Sequence, residues 1–120
     1  MATDYGKKEF GGVRSIPFEI ASGSTTSDTI KLDGRTVVGL VIPVAPSGAT
    51  FTFQAALPHD SANFYTVKDQ SNLAITITTG VGVYKLSPSD MDGLELIRVV
   101  SASSEAALRS LTLLVSNYKS

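Results

Sequence analysis

The chain has 120 residues, a formal net charge of −1 and no cysteine, so we expect one domain without disulfides or thiolate metal sites. A charge so close to zero gives no bulk attraction to nucleic acid or to an anionic membrane. The longest apolar run, residues 37–45, is far shorter than the roughly 20 residues that span a bilayer, so neither nucleic acid nor membrane is an expected partner.

Residues 1–13 are polar, contain three glycines and show no hydrophobic period. This composition predicts a flexible N-terminal arm that becomes ordered only against a partner or a neighbouring subunit. Within the arm, Tyr5, Lys7, Lys8 and Phe10 are candidate contact residues, with Phe10 as the anchor in a pocket.

Residues 14–120 form the predicted domain, and alternating apolar and small polar side chains predict β-strands along it. Pro17 indicates that the first strand lies at a sheet edge, because proline cannot donate to a ladder. The predicted strands are residues 14–20, 28–32, 36–42, 50–56, 64–68, 73–78, 81–86, 94–100 and 111–117. Eight or nine short strands separated by turn signals predict an all-β, jelly-roll-like β-sandwich.

The predicted strand Thr36–Ile42 is apolar at both alternating sets of positions, which is typical of a strand covered on both faces. In a small sandwich, the core covers one face of such a strand, and the other face is covered by a loop or by another subunit. We therefore predict Val38, Leu40 and Ile42 as subunit-contact residues.

Three connections carry further local signals. Residues 57–63 are predicted to form a loop, and Ser87 followed by Pro88 predicts the start of a one-turn helix. Within residues 94–100 the alternation of apolar and polar residues changes phase. This change indicates either a bulge near Arg98 or a partner on the second face of the strand.

Charged residues make up 18% of the chain, against about 25% in average soluble proteins. Soluble monomers usually keep the exposed faces and edges of their sheets charged, which prevents association. Here the solvent-facing positions of the predicted strands hold mainly Thr, Ser, Gln and Ala. The composition therefore indicates that much of the surface contacts protein in the working state.

Catalytic and metal-binding chemistry have little support in the sequence. His59 and Asp60 are the one adjacent His–carboxylate pair, and a polar loop tip explains them better than a general base or a metal ligand. Asp90–Gly93 resembles the opening of a calcium loop but lacks the further acidic ligands, so a helix cap and turn are favoured. We predict no enzyme activity, no metal and no cofactor.

Four aromatic residues, Tyr5, Phe10, Tyr65 and Tyr84, are candidates for a platform on which a sugar ring stacks. The chain has no tryptophan, which such platforms commonly use. We expect Tyr65 and Tyr84 to be half-buried, with the hydroxyl at the surface.

Several short motifs follow one another along the chain: a run from Asp28 to Pro43 that contains Gly34-Arg35-Thr36, then Thr52-Phe53-Gln54, Phe64-Tyr65-Thr66-Val67, Leu86-Ser87-Pro88-Ser89-Asp90-Met91-Asp92-Gly93 and Arg109-Ser110-Leu111-Thr112-Leu113. Together they resemble small β-sandwich virion proteins of tailed bacteriophages. The resemblance covers residues 28–115. It departs from the family pattern at residues 58–63, where a tight Asp-Gly turn is replaced by a longer predicted loop.

The resemblance implies a non-enzymatic virion structural protein, and a capsid decoration or cement protein in particular. It implies a homotrimer that binds the major capsid protein at the capsid surface, after synthesis in the cytoplasm of the bacterial host. Two alternatives stay open: a head-fibre, neck or tail accessory protein of the virion, and a carbohydrate-binding module.

Overall fold

The computed structural model describes residues 12–116. Tyr5, Lys7, Lys8 and Phe10, for which arm contacts are predicted, lie outside this range. The elements within it are β1 (Val13–Ile20), β2 (Ile30–Lys31), β3 (Thr36–Ile42), β4 (Thr50–Leu57), β5 (Asp60–Thr66), β6 (Thr76–Thr78), β7 (Gly82–Lys85), the helix α1 (Pro88–Met91), β8 (Leu96–Ser101) and β9 (Arg109–Ser116). The four-residue α1, the one helix of the described part, is too short to cross a membrane.

The strands form two antiparallel sheets. The first sheet has the order β1-β9-β3-β7, and the second has the order β2-β8-β4-β5, with β6 also paired to β4. The pairing is nested: β1 pairs with β9, β2 with β8, β3 with β7 and β4 with β5. Nested pairs distributed over two sheets are the topology of a jelly roll, so the predicted fold is confirmed.

The core lies between the two sheets and is apolar. The inner face of the first sheet contributes residues such as Phe18, Leu40 and Leu113, and Phe53 and Val99 face them from the second sheet. Strand β1 pairs only with β9, so Pro17 lies on an edge strand as predicted. There the missing N–H costs no ladder bond.

A β-bulge explains why β3 is apolar at both alternating sets of positions. The pairing with β9 shifts between Val37 and Gly39, which leaves Val38 as the extra residue. Because of this shift, Val37, Leu40 and Ile42 all point into the core and are 0% exposed. Leu40 and Ile42 are core residues of their own domain, which corrects their prediction as subunit contacts.

One other local prediction is wrong, and one of two explanations offered for a second is excluded. Residues 57–63 are not a loop: Leu57 pairs with Asp60, so Pro58 and His59 form a two-residue hairpin turn. The register of β8 on β4 runs unbroken from Leu96 to Ser101, so no bulge lies near Arg98. Ile97 and Val99 point into the core, whereas Leu96 lies on the outward side of β8 and is half-buried there, which accounts for the change of phase.

Candidate functional site

The first sheet presents an outer face that is nearly free of charge. Register places one outward side chain of each strand in a row across the sheet: Pro17, Thr112, Val41 and Val83. Val83 is 63% exposed, although it is a large apolar residue on an edge strand. Exposed apolar edges are normally protected by charge, so this row is a candidate contact surface.

A second row lies beside the first and consists of Ser15, Leu114, Gly39 and Lys85. A Cβ on Gly39 would lie 3.0 Å from the Tyr84 carbonyl oxygen and 3.2 Å from Leu114 Cδ1. The glycine therefore lets the Leu114 side chain lie close over β3.

We use the name outer face for the outward residues of the first sheet. They are Val13, Ser15, Pro17, Glu19, Gly39, Val41, Val83, Lys85, Ser110, Thr112 and Leu114. Only Glu19 and Lys85 among them are charged. Thr36 and Ser116 have the same orientation but are buried, and the Asp92 carboxylate accepts from the Thr36 hydroxyl at that end of the sheet.

The outward side of the second sheet also bears few charges, but one of them, Arg98, lies on a central strand. Arg98 donates from Nε to Gln54 Oε1 at 2.7 Å, and its guanidinium carbon lies 4.0 Å from the centroid of the Phe64 ring. Thr52 and Thr66 extend the same side. The second sheet thus has a charged side chain at the middle of its outward side, whereas the middle of the outer face, around Thr112 and Val41, has none.

A buried carboxylate fixes the loops at one end of the sandwich. The side chain of Glu105 is 0% exposed. Its Oε1 accepts hydrogen bonds from the Ser47 N–H at 2.7 Å and from Arg109 Nε at 2.8 Å. Its Oε2 accepts from the Gly48 N–H at 3.0 Å and from the Ser101 hydroxyl at 2.7 Å. The acceptor is an ionised carboxylate, and hydrogen bonds to a charged group are stronger than those between neutral groups.

The backbone of Glu105 joins a third loop to this group. Its N–H donates to the Ser24 carbonyl at 3.0 Å, and its carbonyl accepts from the Gly23 N–H at 2.8 Å. One residue thus ties together the segments that follow β1, β3 and β8. Gly48 is required there, because a Cβ would overlap the Ser101 hydroxyl oxygen.

Burial raises the pKa of Glu105, but the hydrogen bonds from Ser47, Arg109, Ser101 and Gly48 outweigh it and lower the pKa from 4.5 to about 2. As the pH falls below about 5, the Glu105 carboxylate therefore takes up a proton more readily in the unfolded chain than in the folded one.

We expect this glutamate to contribute about 3 kcal/mol of stability that is fully present above about pH 5 and is lost as the pH falls towards 2. Urea unfolding at pH 6 and at pH 2.5 measures the loss, and the Glu105→Gln variant serves as the reference. The variant should lose less stability between the two pH values than the unmodified chain. Equal losses in both proteins would contradict the role given to the carboxylate.

The remaining predicted site residues are spread over the molecule. Val38 is half-buried at the bulge, and its carbonyl accepts from the Leu86 N–H at 3.0 Å; its subunit contact stays a prediction. His59 is exposed in the β4–β5 turn, and the Asp60 carboxylate accepts two bonds of 3.1 Å from Asn63.

Asp90 and Asp92 do not share a ligand cage. Asp90 lies in α1, and Asp92 accepts from the Thr36 hydroxyl at 3.2 Å. Within residues 12–116, no three Asp, Glu, His or Cys side chains come together in a way that could hold a metal ion.

The two described tyrosines differ from each other. Tyr84 packs against the core, and its hydroxyl donates to the Gly80 carbonyl at 2.9 Å, as expected for a half-buried tyrosine. Tyr65 is 66% exposed on β5, which corrects the prediction that it is half-buried. The two rings belong to different sheets, so they do not form one stacking surface.

Comparisons with protein-family models, with curated proteins and with solved structures find no match to this chain.

Sequence reasoning missed both features described here. Residues 101–110 were expected to be a plain connection, yet Glu105 and Arg109 are four residues apart in a run of small residues. That isolated pair of opposite charges was the available signal. The outer face depends on strand order, which no local pattern contains.

Proposed function

We propose that this chain is a non-enzymatic structural protein of a bacteriophage virion, and that it decorates the capsid by binding the major capsid protein. The observation that carries the proposal is the outer face, a sheet surface with an apolar or hydroxylated centre on which only Glu19 and Lys85 are charged. Surfaces of that kind favour protein contact over solvation. The motif resemblance over residues 28–115 supports a bacteriophage virion as the particle to which the chain belongs. The jelly roll is also a fold that viral shells use.

The mechanism that we propose is burial of surface. A standard interface removes roughly 1,600 Å² of surface from water, and each apolar Å² is worth about 25 cal/mol before the costs of association. Copies of the chain that associate and bind neighbouring capsomers multiply weak contacts through avidity. Loops held by Glu105 lose little entropy on binding, because they are already fixed in the free protein.

The test uses empty shells assembled from the major capsid protein that the same genome encodes. Purified chain is mixed with the shells and sedimented, and the bound chain is quantified per capsomer. We expect saturable binding with a fixed stoichiometry and a raised melting temperature of the shells. No binding to intact shells would contradict the proposal.

Immunogold labelling of whole particles from the same source separates the alternatives. Gold distributed over the head supports decoration of the capsid. Gold confined to the neck, tail or head fibres would replace this proposal with an accessory role. Absence from particles, together with a tyrosine fluorescence change on adding a glycan, would favour a carbohydrate-binding module.

A further inference from the structure

We propose that the outer face binds a second copy of the same chain across a twofold axis. The inference goes beyond the virion role, because it concerns the free protein and does not depend on the identity of the particle. It rests on where the two charges of the outer face lie.

Glu19 and Lys85 occupy opposite corners of the three rows of the outer face that begin at Glu19, Pro17 and Ser15 on β1. Glu19 lies on the edge strand β1 and pairs with Ser110, while Lys85 lies on the other edge strand, β7, and pairs with Gly39. The two edge strands are three strand spacings apart, about 14 Å. Along the strand direction, the row of Glu19 and the row of Lys85 are four residues apart, about 13 Å. The midpoint of this diagonal lies between Thr112 and Val41, at the centre of these three rows.

Such a diagonal is self-complementary. Consider a twofold axis that lies in the plane of the contact, along the diagonal that joins the other two corners. Because the distances across and along the strands are nearly equal, rotation about this axis places the Glu19 corner of one copy on the Lys85 corner of the other. Each Glu19 then meets the Lys85 of the other copy, which gives two ion pairs at the rim. The Asp28 carboxylate accepts from the Glu19 N–H at 3.2 Å, so this corner carries a second negative charge.

The centre of the same arrangement is apolar or hydroxylated. Pro17, Thr112, Val41 and Val83 of both copies come together there, and no charge is buried. The strands of the two facing sheets cross at about 90°, which is one of the two ways in which sheets pack.

The area sets the strength of the contact. Five residues along four strands cover a patch of about 17 by 19 Å, or roughly 320 Å² per copy, whereas a standard interface uses roughly 800 Å² per partner. The pair is therefore weak in free solution and strengthens where a common surface holds the copies close together. A twofold contact builds dimers, so it differs from the trimer that the resemblance implies.

The test is sedimentation velocity of the full chain between about 10 μM and about 1 mM. Four proteins are compared: the unmodified chain, Glu19→Lys, Lys85→Glu, and the double exchange Glu19→Lys with Lys85→Glu. Each single change places like charges opposite each other at both corners, so we expect dimer dissociation constants to rise by about tenfold. The double exchange restores opposite charges and should return the constant to within about threefold of the original.

Lys68→Glu is the matched control for Lys85→Glu, because it makes the same change of net charge at an exposed position outside the first sheet. It should leave the association unchanged, and circular dichroism should show native β-structure in every variant. A monomer over the whole range, a trimer, or single changes that act no differently from Lys68→Glu would each overturn the proposal. Failure of the double exchange to restore the dimer would do so as well.

Discussion

Replacement of Leu40 by lysine is expected to abolish folding. Leu40 lies on β3, between β9 and β7, and is 0% exposed. Truncation of a buried leucine alone costs about 2–5 kcal/mol, and a buried ammonium without a partner adds several more. The sum approaches or exceeds the total stability of about 5–15 kcal/mol that small domains have. Circular dichroism and urea titration should show no cooperative transition.

The neighbouring substitution Val41→Lys is the matched control. Val41 is on the same strand but points to the outer face and is half-buried. This variant should fold with native circular dichroism and lose self-association. If the Leu40→Lys variant instead folded and changed only its oligomeric state, Leu40 would be a subunit contact after all, and the assignment of the bulge would be wrong.

Replacement of Glu105 by glutamine is expected to destabilise the domain by about 3–5 kcal/mol, although the two side chains have nearly the same shape. Four donors converge on the carboxylate. A glutamine NH₂ group would face two of them, and Arg109 would lose its ion-pair partner. For a domain of this size, the melting temperature should fall by about 10 °C or more.

Glu19→Gln provides the comparison for this experiment, because Glu19 is exposed and its side chain lies on the surface of an edge strand. Its melting temperature should stay close to that of the unmodified chain. Equal effects at the two positions, measured at pH 7 by calorimetry, would show that the loop end of the sandwich does not depend on the buried carboxylate.

The strands and the fold class were predictable because period-two alternation is a local property. The strand predicted at residues 36–42 has the bounds that the structure gives, and Pro17 correctly marked an edge. Turn residues between short strands then predicted a sandwich. Nested pairing of the first strand with the last follows from the jelly-roll class once that class is assumed.

The remaining features depend on contacts between distant segments. A doubly apolar strand has two physical explanations, a partner on the second face or a bulge that shifts the alternation, and local sequence does not distinguish them. The bulge at Val38 is visible only against β9, which follows about 70 residues later. Similarly, Glu105 becomes a buried anchor only because residues 47 and 48 donate their N–H groups to it.

The central claim, a structural protein that acts through its outer face, is tested most directly by shell binding of two matched variants. Val41→Lys and Thr52→Lys each place one lysine on a half-buried outward position of a central strand, the first on the outer face and the second on the opposite sheet. Both are sedimented with shells of the major capsid protein beside the unmodified chain. We expect Thr52→Lys to bind like the unmodified chain and Val41→Lys to lose most of its binding, because the avidity of associated copies is lost. Equal binding of all three proteins would contradict the account.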